Sequence, residues 1–452
     1  MRKMRVRMRR YVAISLLTLA LCGGAEGQRR RRGEEASRHP IREVNQVARP
    51  DSTRVVAITG ATLIDGRGGA AISDSTVIVL GERITAAGPR ASVPVPPGAD
   101  IFDARGLTLL PGLIDAHFHI DGDDTLPALF LSHGITSVRD PGQWIEAYAA
   151  VRQKATPLPR LFLTGPHLDS PPPAYPADSI IVRDEEEARL AVSRFAEDGA
   201  SAIKVYFRLP AGLIRVVTNT AHARGIPVTA HLEIVDATDA IRAGIDGIEH
   251  VTSFGTALMP FREAEKYRQS VLADNNARRE GRYTAWSTID LDSPNAKALY
   301  KFLAERGTFI SPTLAVFERQ AGDKDTTDVH VRAFRNMLAF VGRARRTGAR
   351  VVVGSHSGVP HAERGWAYQR ELELLVEAGL TPTEAIVGAT LENARFFRVD
   401  DRLGSVERGK LADLVLVEGD PLKDISAMRR VRRVMLNGRW VGPSATEKKE
   451  TK

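Results

Sequence analysis

The sequence predicts an α/β fold, a (β/α)8 TIM-like barrel inserted in a small composite β-sandwich domain. Two observations carry this. Between about residues 109 and 397, eight apolar, strand-like runs alternate with longer amphipathic stretches, the pattern of a closed parallel barrel. Short strands punctuated by Gly, Asp and Pro precede that region and return after it, so the two flanks can complete one domain around the barrel. The length agrees: 452 residues exceed the ~250 of a plain barrel and leave room for a second unit.

The first element is a leader. Met1 to Arg10 is strongly basic, Tyr11 to Cys22 is apolar, and Gly23-Gly24-Ala25-Glu26-Gly27 supplies small residues for cleavage. That layout is a secretory signal peptide over 1–27, and it predicts export to the periplasm or the cell exterior. The apolar run is shorter than the ~20 residues a membrane span needs. Arg9-Arg10 fits a twin-arginine signal poorly. Cys22 is an alternative lipid-attachment site, disfavoured by the bulky Leu21 before it. Cleavage after Ala25 or Gly27 removes the one cysteine, so neither a disulfide nor a thiolate ligand is expected.

The leader also accounts for the charge. The chain has 63 Lys or Arg and 55 Asp or Glu, but residues 1–32 hold ten of the basic residues and one acidic residue, Glu26. The remainder has 53 against 54, a net of −1. With no basic stripe interleaved with aromatics, nucleic-acid binding is not expected. The composition, 43% apolar and 26% charged, is that of a soluble globular protein. A homo-oligomer is compatible with it.

Residues 28–53 are polar and aperiodic and read as a flexible linker. Strand patterns over 54–108 form the first part of the β domain. The barrel is expected over 109–397, with strands at 109–115, 134–139, 160–164, 201–206, 226–231, 246–250, 308–311 and 349–354. Helices are expected at 185–198, 211–224, 295–306, 329–348 and 381–395. Glu185-Glu186-Glu187 and Thr381-Pro382-Thr383-Glu384 are helix-starting signals. The stretch 253–294 is long, charged and weakly periodic, the profile of a lid or binding loop. Residues 398–442 complete the β domain, and 443–452 read as a disordered tail.

The chemistry lies at the strand ends. Leu113-Ile114-Asp115-Ala116 runs into His117-Phe118-His119, and residues two apart in an extended chain point the same way. His117 and His119 can therefore reach one metal ion. Lys204 stands in the apolar run Ala202–Tyr206, and His231 and His250 end two later runs. Barrel strands converge at their C-terminal ends. Any one histidine is more commonly a surface or core residue, but four at successive strand ends point to a metal site.

The set His117-x-His119, Lys204, His231 and His250, with Pro111-Gly112-Leu113-Ile114-Asp115 before it and Gly247-Ile248-Glu249 before His250, resembles the amidohydrolase superfamily. The branch it is most similar to is the imidazolonepropionase-like and Xaa-Pro dipeptidase-like one. Thr136-Ser137-Val138-Arg139-Asp140 and the C-terminal Gly404 to Val415 extend the resemblance, which covers about 54–442. It implies hydrolysis with one or two divalent metal ions, zinc first, and a CO2-derived carboxylate on Lys204 bridging them. Metal-activated water would attack an amide, peptide or cyclic amide of a small or short-peptide substrate. Tyr206 would hydrogen-bond the carbonyl, unless it is only a packing aromatic. His167 and Asp140 are candidate substrate contacts, Asp140 being alternatively the ion-pair partner of a structural Lys204.

One departure stands out. Where the superfamily carries an aspartate after the last barrel strand, this chain reads Val353-Gly354-Ser355-His356-Ser357-Gly358. His356 then takes the place of both a ligand and the proton carrier, since neutral imidazole can act as either. Alternatively the chain is a non-hydrolytic metal-binding pseudoenzyme. A lactonase or phosphotriesterase on the same site is the third reading.

Overall fold

The computed structural model describes residues 42–154 and 156–442. The leader and the tail expected at 1–27 and 443–452 lie outside the described residues. No helix among the described residues is long and apolar enough to cross a membrane.

Eight parallel strands form the barrel. They are Leu113–Asp115, Ile135–Asp140, Arg160–Leu163, Ile203–Val205, Val228–His231, Gly247–Glu249, Phe309–Ser311 and Arg350–Val351. Two sheets of three and seven strands contain them, and backbone hydrogen bonds close the gaps. Ser201 N–H donates to Leu163 O at 2.6 Å between the third and fourth strands, and Ala116 N–H donates to Val353 O at 2.9 Å between the first and eighth. Asn393 reinforces the second seam, donating to Ile114 O at 2.5 Å and to Val353 O at 3.0 Å. A short extra strand, His167–Asp169, follows the third barrel strand and lies parallel to the fourth.

Local chemistry sets the helix ends. Asp184 accepts from Glu187 N–H at 2.9 Å and starts the helix Glu185–Asp198, which stops at Gly199 with φ +89°. Thr381 and Glu384 cap each other at the start of Pro382–Val387. The last expected helix, 381–395, is not uniform: it passes through a wider turn at Gly388–Glu392 before Asn393–Phe396.

The run expected as one strand over 109–115 divides at Gly112. Leu107–Pro111 pairs antiparallel with Leu414–Glu418, outside the barrel, while Leu113–Asp115 is the first barrel strand. A Cβ at Gly112 would sit 2.3 Å from Thr136 Oγ1, so a side chain there has no room. The strands before and after the barrel join in one eight-stranded sheet. The first of them, Val55–Leu63, is the branch point: it pairs with Ile72–Leu80, with Asp100–Asp103 and with Leu107–Pro111. Val56, Ile58, Val77, Leu109, Leu414 and Met435, drawn from across that sheet, enclose one apolar cluster. Ala57 and Ile78 belong to a separate one on the other face, as a two-residue period requires.

Two expectations need correction. Residues 42–49, assigned to a flexible linker, are held against the barrel. Val44 N–H donates to Leu161 O at 2.8 Å, Asn45 donates to Pro159 O and accepts from Leu161 N–H, and Glu43 pairs with Arg160. These contacts are long-range, so composition gave no sign of them. The stretch 253–294 is not a loop. It folds into the helices Gly255–Leu258, Phe261–Ala273 and Ala277–Thr288 before Pro294–Arg306 begins. Its periodicity is weak because its buried positions include Arg278 beside Tyr283 and Trp286.

Candidate metal centre

The C-terminal ends of the barrel strands bring the histidines together. His117 and His119 follow the first strand, His231 ends the fifth, Val228–His231, and His250 follows the sixth, Gly247–Glu249. His356 lies beyond Arg350–Val351 in the last loop. One nitrogen from each of His117, His119 and His356 lies within 4.8 Å of the others. The His250 ring is 4.6 Å from that of His117 and 4.5 Å from that of His231. Lys204, buried to 1% exposure, lines the same cavity as His119, His250 and His356.

The hydrogen bonds decide which nitrogens are free. His117 Nδ1 contacts Glu249 Oε2 at 2.5 Å, and His119 Nδ1 faces Asp140 Oδ1 at 3.3 Å. A carboxylate accepts, so each Nδ1 carries the proton and each Nε2 a lone pair. Those two Nε2 atoms are 3.0 Å apart. Two lone pairs at that distance repel unless a proton on one ring, which Asp140 favours at His119, or a metal ion lies between them. Two nitrogens bound to one zinc at ~2.0–2.1 Å cannot be more than about 4.2 Å apart, a limit this pair meets. Thr313 donates its hydroxyl to Pro312 O at 2.8 Å, so it accepts from His250 Nδ1 at 2.7 Å and leaves His250 Nε2 free. Glu233 takes His231 Nε2–H at 3.1 Å, and the buried His231 Nδ1 has no partner. Four imidazoles thus each keep a lone pair, three oriented by carboxylates and one by a hydroxyl, the outer-shell pattern of metal-binding histidines. The residues present fit a divalent ion.

The electrostatics point the same way. Burial, aided by the positive Lys204 nearby, holds His117 and His231 well below the usual imidazole range, and burial with neighbouring His231 and His117 does the same for His250. Burial and neighbouring His119 do the same for His356. These rings are neutral at pH 7, as ligands must be. Burial opposes protonation of His119, but its hydrogen bond and charge partner Asp140 outweigh this and raise it. Lys204 is pushed by burial from 10.5 down to about 8. Glu249 resists burial because Arg139 and Lys204 hold it ionised; Arg139 crosses the barrel interior to bond both Glu249 and Ala116 O.

Backbone strain concentrates here. His250, Thr313, His356 and Ser357 have φ of +66°, +47°, +59° and +61°, uncommon for residues with a side chain. Gly354 allows the last loop its approach, since a Cβ would lie 2.6 Å from His117 Cβ.

The other expected residues also reach the site. Tyr206 stacks on His167 with ring centres 4.5 Å apart and meets His231 edge-on at 4.7 Å. Burial raises the Tyr206 phenol well above 10, so it remains a donor. His167 lines the cavity, and Asp140 accepts from Tyr148 at 2.7 Å and from Ile120 N–H at 3.2 Å. Sequence reasoning missed Glu249 and Glu233 as orienting groups. Glu249 was visible beside His250, and Glu233 stands two residues after His231, which in an extended chain is the same side.

The chain matches the model of the amidohydrolase family over residues 108–441. It belongs to that family. An uncharacterised protein of Mycobacterium tuberculosis is 27% identical over 379 residues, covering 76% of this chain and 88% of the relative. A solved Xaa-Pro dipeptidase with methionine bound in its active site covers 85% of this chain and 99% of its own, with a TM-score of 0.67 and 23% identity. The ochratoxinase of Aspergillus niger covers 87% and 97% at a TM-score of 0.67 and 20% identity. Both structural likenesses show the amidohydrolase fold, a TIM-like barrel.

Proposed function

We propose that this amidohydrolase is an exported, metal-dependent hydrolase of carbon–nitrogen bonds in small amides or short peptides. The observation that carries the reading is the set of four imidazole lone pairs at the strand ends, beside a cavity of about 190 Å³ lined by His119, His250, His356 and Lys204. His117, His119, His231 and His250 would hold one or two divalent ions, with His356 keeping its one lone pair for the proton. Zinc is the first choice for such nitrogen donors. The ion would supply an activated water and a Lewis acid for the carbonyl.

The chain's own groups do the rest. Lys204, with a pKa near 8, has enough neutral amine to take up CO2 and present a carboxylate to the ions. Tyr206 donates a hydrogen bond to the substrate carbonyl oxygen. His356, neutral and in the cavity, accepts the water's proton and passes it to the leaving nitrogen. Asp140 and Glu249 keep their histidines in the required tautomer. The names of the dipeptidase and the ochratoxinase support hydrolysis, and the leader supports export.

Metal per chain, by elemental analysis of the purified mature protein, is the first test, followed by amide, lactone and phosphotriester substrates. One or two ions with amide turnover supports the reading. Metal without any turnover replaces it with the pseudoenzyme, and lactone or phosphotriester turnover alone reassigns the reaction. No tightly held metal after reloading removes the metal centre altogether.

A further inference from the structure

His250 keeps its Nε2 lone pair because Thr313 holds its Nδ1, and Thr313 does this from an unusual conformation. Its φ and ψ are +47° and +48°, the left-handed region, where a β-branched residue is rare. Such a residue persists only where its surroundings over-determine it. Thr313 is also the N-cap of the four-residue helix Leu314–Phe317, yet its side chain makes no capping hydrogen bond. A threonine there ordinarily accepts from the second or third amide of the helix. Here the hydroxyl is turned the other way, to Pro312 O at 2.8 Å and His250 Nδ1 at 2.7 Å. The first amides of the helix are taken instead by a carboxylate from further along the chain. Leu314 N–H donates to Glu371 Oε1 at 2.9 Å, and Ala315 N–H donates to Glu371 Oε2 at 2.8 Å.

Glu371 is fully buried, on the helix Ala367–Glu377. Those two amides are its only hydrogen-bond partners among the described residues. The neighbouring Arg370 is committed to Glu318, Glu373 and Glu377. A buried carboxylate with so little compensation is unfavourable, and burial pushes its carboxyl up to about 8. An apolar residue on that helix face would avoid this cost but leave the helix amides unpaired. The segment that Glu371 grips is tied to the histidine: His250 N–H donates to Ser311 O, Val251 N–H to Pro312 O, and His250 Nδ1–H to Thr313. We propose that Glu371 is a positioning residue for His250: it caps Leu314–Phe317 in place of Thr313, and so frees the Thr313 hydroxyl to fix the His250 tautomer. What His250 Nε2 binds rests on the metal-centre reading; how its ring is held rests on these hydrogen bonds alone.

One arm of the test uses the apo-protein and needs neither metal nor turnover. Nitrogen-15 spectra of the histidine side chains, with His250→Ala to assign the signals, should show wild-type His250 protonated at Nδ1. Thr313→Val and Glu371→Gln should each shift the proton towards Nε2, because the hydrogen bond at one ring nitrogen sets the tautomer. Thr313→Ser keeps the hydroxyl and should not. The other arm measures zinc affinity by competition with a chromophoric chelator. Thr313→Val and Glu371→Gln should each weaken binding about 10-fold or more. The double variant should stay within about twofold of the weaker single variant, whereas independent effects would multiply. Glu371→Met replaces the buried charge by an apolar side chain of similar length, a change that folding often tolerates. It carries the same comparisons where Glu371→Gln does not fold. A wild-type tautomer in the folded Glu371 variants, or multiplied losses in the double variant, would overturn the positioning role and leave the metal centre standing. A wild-type chain that holds no zinc, with tautomers that change as described, would keep the positioning role and remove the metal centre.

Discussion

Two buried arginines, Arg139 and Arg160, show what separates a structural network from a working one. Arg160 lies where the barrel meets the β sheet, pairing with Asp413 at 2.8 Å, with Glu43 at 3.3 Å and with Asn437 at 3.0 Å. Asp413 also accepts from Asn437 N–H at 2.7 Å. None of these four side chains has an unpaired buried polar atom. Arg139 lies at the strand ends and binds Glu249, and through it His117. Elsewhere at the strand ends, Asp115 Oδ2, His167 Nδ1 and His231 Nδ1 are buried with no hydrogen-bond partner. Both networks bury charge. One is closed by protein groups alone, and the other orients His117 within a site that leaves buried polar atoms unpaired.

The largest effect is expected from metal removal: chelation, or His250→Ala, should take amide hydrolysis to background while circular dichroism stays that of a folded barrel. Survival of activity after exhaustive chelation would erase the distinction. Arg160→Ala should act on folding instead, costing about 3–5 kcal/mol because Asp413 is left buried and unpaired. Urea unfolding measures this, and metal per folded chain should not change. Glu249→Gln should weaken zinc binding about 10–100-fold, read by competition with a chromophoric chelator.

Lys204 is depressed from 10.5 to about 8, so the unfolded apo-chain binds more protons than the folded one between those values. Apo-protein stability should therefore rise with pH across that window. Reloading with zinc should require bicarbonate and speed up as pH climbs towards about 8, where the amine becomes neutral. A pH-independent, bicarbonate-independent reloading would contradict carboxylation. The smallest effect is expected from Thr381→Ala, about 1 kcal/mol of stability from a lost helix cap, with zinc content unchanged.

Much of this architecture was legible because strand alternation is a local signal. The eight barrel strands stand within a few residues of the apolar runs, and His117-x-His119 shares one face as an extended chain demands. Where a local signal was absent, reading failed. Residues 42–49 are ordered by partners more than a hundred positions away. The insertion looked like a loop because helices that turn an arginine inward do not show a clean apolar stripe.

The order of elements, the identity of the ligand-type residues and the replacement of an aspartate position by His356 are all legible along the chain. The tertiary structure alone decided how they meet. In an extended strand Glu249 and His250 would point to opposite faces; only the φ of +66° at His250 lets both serve one site. Likewise, nothing in the spacing of Arg278 and Arg282 says that they line one cavity with His231 and His250, because that wall is made by folding a distant helix over the barrel mouth. Residue type and periodicity are written along the chain. Which lone pairs are left free is settled only when the whole set of partners has been assembled.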